Sequence, residues 1–184
     1  MADLKESPSQ TAGPYVHIGC VPTFAGLEGM FGGQDLGAQM ITGDPAGARI
    51  TLSLKVIDGA GDPLTDAMVE IWQPGPDGSF GPTDGFSHWG RRPTDATTGD
   101  AVFETLLPGA PAGQAPHLFV WIAARGINMA LMTRIYFPDH DNGADPVFAL
   151  AGDRAHTLIA TPATGGFSHV IRLQGENETV FFDV

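Results

Sequence analysis

Six histidines, two tyrosines and one cysteine are the side chains here with the clearest capacity to hold a metal or form a covalent intermediate. His17, His88, His117, His140, His156 and His169 form no His-x-His or His-x-x-x-His pair, so no strand or helical turn places two imidazoles side by side. Taken singly, each reads as a packed or hydrogen-bonded histidine. Cys20 stands alone, which excludes an internal disulfide and a zinc knuckle, and no neighbouring cation pattern would stabilise its thiolate. Asp139, Asp141 and Asp145 resemble the start of a calcium loop, but glycine at the sixth position and glutamate at the twelfth are missing. Residues 139–145 are therefore expected to be a solvated acidic turn. A Gly-x-Ser-x-Gly elbow, a Walker loop and a placed Rossmann fingerprint are also absent from the sequence.

Two segments carry more information. In Thr11-Ala12-Gly13-Pro14-Tyr15 the proline fixes its own backbone and drives Gly13 out of the helical region. The expectation is a stiff extended segment that either holds Tyr15 in a defined place or makes a plain turn around a half-buried ring. Arg125-Gly126-Ile127-Asn128 lies between two apolar runs, with Gly126 and Asn128 suited to the positive-φ positions of a tight hairpin. Arg125 would project from the strand end, either to meet an anion in a fork or to sit in solvent.

The elements that must position these residues are strands. The 184 residues favour one domain, alone or with a long arm. A net charge of −12 makes nucleic acid and anionic membrane poor partners. The lone cysteine and the polar opening Met1–Gln10 point to a reducing, cytoplasmic setting. Only 16% of residues are charged, while Gly 25 and Pro 15 suit a turn-rich β protein. Residues 1–48 show no sustained periodicity and are expected to be an N-terminal arm and wrapping loop; their apolar side chains need a covering surface. From Arg49, apolar Ile50, Leu52, Leu54 and Val56 alternate with Thr51, Ser53 and Lys55, the period of a half-buried strand. Further strands are expected at 67–73, 101–107, 118–124, 129–137, 157–161, 167–173 and 179–183, with a long loop over 80–100. Asp145-Pro146 before an apolar run suits a short helix. Eight strands and little helix predict an all-β, antiparallel sandwich over residues 49–184.

Four segments then carry a resemblance: residues 9–19 (SQTAGPYVHIG), 124–128 (ARGIN), 133–137 (TRIYF) and 174–183 (QGENETVFFD). Together they resemble the intradiol ring-cleaving dioxygenases, and within them the alpha-type chains of enzymes acting on 3,4-dihydroxybenzoate. The resemblance runs from about Ser9 to the C-terminus. It implies a transthyretin-like β-sandwich paired with a beta subunit, the alpha–beta pairs assembling into a larger symmetric oligomer. It also implies non-haem Fe(III) held by two tyrosinates and two histidines, and ring cleavage with O2 to 3-carboxy-cis,cis-muconate in aromatic catabolism. The iron-binding chain carries a His-x-His pair; here His117 matches the first ligand and Phe119 replaces the second. Pro108-Gly109-Ala110-Pro111-Ala112 and the loop before Gly90-Arg91 lack the ligand tyrosines. This chain is accordingly expected to bind no iron and to carry no catalytic residue of its own. By the family pattern Thr11, Gly13, Pro14, Tyr15 and Arg125 would line the partner's pocket, with protocatechuate and O2 at the shared site. Two other readings stay open: a free-standing sandwich that carries an aromatic ligand, and a complete metalloenzyme built on His117, other histidines and the acidic loop.

Overall fold

The computed structural model describes residues 10–183. The first nine residues of the expected arm, Ser9 of its motif included, lie outside the described residues.

The main strands form where one face can be buried; β1 (Glu28–Phe31) and β8 (Thr161–Ala163) are exposed throughout. The apolar set of β2 (Arg49–Ile57) is sealed, while Thr51, Ser53 and Lys55 stay partly exposed. β2 pairs with β5 (Asp100–Leu106) on one side and β9 (Gly166–Arg172) on the other, with β8 (Thr161–Ala163) beyond β9. The second sheet orders β4 (Trp89–Pro93), β3 (Met68–Trp72), β6 (His117–Ala123) and β7 (Leu131–Tyr136). Leu52, Leu54, Phe103 and Ile171 of one sheet share a core with Val69, Ile71, Val120, Ile122 and Ile135 of the other, which makes the pair of sheets a sandwich. Within the expected arm lie a short helix, α1 (Pro14–Cys20), and β1 (Glu28–Phe31), which belongs to neither sheet.

Several expectations need correction. The sandwich is not wholly antiparallel, because β2 and β9 run parallel. The long loop over 80–100 contains β4, whose Gly90, Arg91, Arg92 and Pro93 hide the usual signal; as an edge strand it needs only β3 for a partner. The strand expected at 157–161 begins only at Thr161, with β8: a 3-10 helix spans Gly152–Leu158, and the Thr157 hydroxyl donates to Arg154 O at 2.7 Å, competing with a ladder. Residues 179–183 form no strand either. They are pinned to scattered neighbours instead of one strand: Thr179 N donates to Arg172 O, Val180 N to Thr157 Oγ1, Thr133 Oγ1 to Val180 O and Phe182 N to Met132 O. The 124–130 connection is longer than a tight hairpin; Gly126 takes a positive φ of 85° and Asn128 does not.

At the parallel β2–β9 pairing Gly166 sits opposite Thr51, and a Cβ there would fall 2.0 Å from Thr51 O. Gly166→Ala should therefore destabilise by about 1–3 kcal/mol, seen as a fall of roughly 3–10 °C in Tm; an unchanged melt would mean that the pairing is looser than described.

His169 of β9 is buried, with Nδ1 3.2 Å from Ile159 O and Nε2 without a partner. Burial pushes its pKa down to about 4 from 6.5. The native state then binds fewer protons than the unfolded chain, so stability is fully present above pH 6.5 and is lost as pH falls toward 4. By pH 5 the loss from this group should reach about 2 kcal/mol. Urea midpoints at pH 7 and 5 check this, and the difference should shrink in His169→Gln.

Candidate functional site

Gly13 takes extended dihedrals (φ −133°, ψ −174°) as the N-cap of α1, and Pro14 occupies the first turn, where a missing N–H costs nothing. The extended segment expected over Thr11–Tyr15 thus holds at Gly13 and gives way to helix at Pro14. Thr11 ties this start to the far loop: its hydroxyl donates to Ala124 O at 3.3 Å and accepts from Gly126 N at 2.7 Å. Both backbone neighbours of Arg125 are held by one side chain. Beside them Ala12, Gly13, Pro14, His17, Phe24, Asp66 and Arg125 enclose a cavity of about 180 Å3. Arg125 is 73% exposed and its Nε donates to Asp66 Oδ2. Tyr15 faces outward, 86% exposed, away from either expected environment.

His117 and Phe119 sit at the other end of β6. His117 is fully buried, with Nδ1 2.8 Å from Ala115 O and Nε2 without a partner. Their rings lie 5.0 Å apart, as residues two positions apart on one strand should. Burial holds the His117 pKa below the usual range, opposed by the Ala115 contact and aided by the charge of Arg134. The Arg134 guanidinium lies 4.4 Å over the Phe119 ring, and its Nη1 donates to Gln114 Oε1 at 2.8 Å and to Tyr136 Oη at 3.3 Å. Tyr136 is fully buried, and that burial raises its phenol to about 12 against the pull of Arg134. Asp145 Oδ1 lies 3.7 Å from Arg134 Nη1.

Asp145 corrects the solvated-turn expectation, although Asp139 and Asp141 are exposed as expected. It is fully buried, caps α2 (Pro146–Leu150) by accepting from Val147 N and Phe148 N, and accepts from Ala115 N at 3.0 Å. Neither Arg134 nor Asp66 emerged from the sequence reading. The quoted motif contained Arg134, but only the fold reveals its neighbours, and Asp66 lies 59 residues from Arg125.

The comparisons decide the family. A family described as Dioxygenase matches residues 22–168. The protocatechuate 3,4-dioxygenase alpha chain of Pseudomonas putida is 37% identical over 197 positions, covering 98% of this chain and 97% of that one. The chain belongs to the intradiol ring-cleavage dioxygenases. A beta chain of the same enzyme from Burkholderia cepacia is 31% identical, covering 82% of this chain and 78% of that one. An intradiol ring-cleavage dioxygenase from Tetranychus urticae shares the fold, with a TM-score of 0.59 at 19% identity over 78% of this chain and 92% of that one.

Intradiol dioxygenases use non-haem ferric iron, and the donors present here do not fit it. A hard ferric ion calls for phenolates, yet Tyr136 is a buried, protonated phenol accepting a hydrogen bond and Tyr15 is exposed on α1. Phe119 offers no lone pair, and a guanidinium already lies against it. Among the described residues no three of His, Cys, Asp and Glu gather as a metal group. Restoring one ligand should therefore not restore a centre: Phe119→His is expected to purify without stoichiometric iron and without a visible charge-transfer band. Iron analysis and an absorption spectrum check this.

Proposed function

We propose that this chain is the alpha subunit of a protocatechuate 3,4-dioxygenase, completing the active site of an iron-bearing beta subunit. One observation carries the reading. Thr11, Gly13, Pro14 and Arg125 are gathered just past one end of β6, whereas His117 and Phe119 stand roughly 20 and 13 Å back from that end along the extended strand. A recognition cluster that distant cannot serve the ligand positions of its own chain; it suits the pocket of another. The names of the curated relatives, alpha chain and beta chain, supply the partner.

In this reading the substrate is 3,4-dihydroxybenzoate, whose ring opens between the two hydroxylated carbons with both atoms of O2 retained in 3-carboxy-cis,cis-muconate. The oxygen chemistry belongs to the ferric ion of the partner, and no step of it falls to a residue of this chain. Arg125 offers a delocalised cation that binds and orients the anionic substrate. Gly13 and Pro14 form the wall beside it, Thr11 fixes its loop, and the exposed Tyr15 ring gains cover from the partner. Alpha–beta pairs would build a larger symmetric oligomer in the cytoplasm. Among the described residues no helix is long and apolar enough to cross a membrane.

Co-expressed with its beta chain, the protein should consume O2 on addition of 3,4-dihydroxybenzoate, and alone it should not. Arg125→Ala should still co-purify with the partner but lose about 10-fold or more in kcat/KM, the size of a lost charged hydrogen bond. Unchanged kinetics would make Arg125 an ordinary loop cation.

A further inference from the structure

Arg125 is the most exposed arginine with a defined partner at this site, and that exposure raises a physical difficulty. A guanidinium on a flexible stem, 73% exposed, has many rotamers to lose before it can grip an anion. The backbone on either side is fixed by Thr11, but a fixed backbone does not aim the side chain. Asp66 does so. Its carboxyl group is only 20% exposed, lies at the rim of the same cavity, and accepts from Arg125 Nε. Neither Nη1 nor Nη2 of Arg125 has a hydrogen-bond partner among the described residues.

A guanidinium presents two kinds of edge to a carboxylate: the side edge that includes Nε, and the end edge of Nη1 and Nη2. Asp66 occupies the side edge. The end edge is left free, with two parallel N–H groups matched to a planar carboxylate. We infer that Asp66 is a positioning residue for substrate selection: it turns Arg125 so that the Nη1–Nη2 edge meets the carboxylate of a carboxylated catechol. This rests on the reading of Arg125 given above and deepens it, because it assigns the residue that sets preference for a ring bearing a carboxylate over one without. Asp66 itself touches neither substrate nor iron in this account. Its negative charge partly offsets the attraction of Arg125, so aim, more than added charge, is what it contributes.

The test uses the co-expressed alpha–beta enzyme and two substrates, 3,4-dihydroxybenzoate and catechol, which lacks the carboxylate. Asp66→Ala should raise KM for 3,4-dihydroxybenzoate about three-fold, as expected for an exposed ion pair, with kcat and the KM for catechol unchanged. Asp66→Asn keeps an acceptor for Nε and should bring KM back to the wild-type value or below it, since the opposing charge is gone. Arg125→Ala serves as the reference and should raise KM for the carboxylated substrate by about 10-fold or more while sparing catechol. If Arg125→Ala alters the ratio of the two KM values and Asp66→Ala does not, the role of Asp66 is overturned and that of Arg125 stands. If Asp66→Ala changes both substrates equally and lowers Tm, Asp66 is merely structural and the inference fails. If Arg125→Ala leaves the ratio untouched, the reading beneath the inference falls, and the inference with it.

Discussion

The guanidinium of Arg134 lies against Phe119 and close to His117, and much of this end of the molecule is arranged around it. Burial first, and then the guanidinium's positive charge, lower the pKa of the neighbouring His117, and Arg134 Nη1 donates to the phenol oxygen of Tyr136. Such a buried charge must be matched, and Asp145 matches it from a fully buried position. That carboxylate in turn caps α2 and receives Ala115 N just ahead of β6. One ion pair thus couples β7, the entry to β6 and the α2 turn. Removing either partner would leave an uncompensated buried charge, typically a loss of 3–5 kcal/mol.

That end of β6 is committed to a guanidinium, and the proposed pocket contribution lies at the opposite end. There the polar groups face outward. Arg125 projects into solvent and Tyr15 is bare, yet the backbone beneath them is tightly organised by Thr11. The C-terminal end of α1 is anchored to the second sheet: Arg91 of β4, paired to Glu70 of β3, reaches Cys20 O at 3.4 Å. Under the proposed role, such a fixed base beneath exposed side chains lowers the ordering cost of meeting a partner.

Sequence periodicity revealed the sandwich because burial on one face leaves a period of two, plain in Ile50, Leu52, Leu54 and Val56. It failed where another constraint set the residue types. β4 hides its pattern behind Gly90 and Pro93, and the Val180-Phe181-Phe182 run mimics a strand while its backbone bonds go to separate neighbours. Phe119, two residues after His117, and the Thr11–Tyr15 motif were legible in the sequence. The partners of those residues were not. Asp66 and Arg125, or Arg134 and Gln114, meet only through tertiary contacts between residues distant along the chain, and no local pattern encodes such meetings.

The central claim is that this chain completes a metal site without holding the metal. Separating the two chains of the purified, active enzyme under conditions that retain protein-bound iron, and measuring iron in each, tests it most directly. The account predicts that the ferric ion travels with the beta chain and that this chain carries none. Stoichiometric ferric ion on this chain, with its tyrosinate absorption, would contradict it.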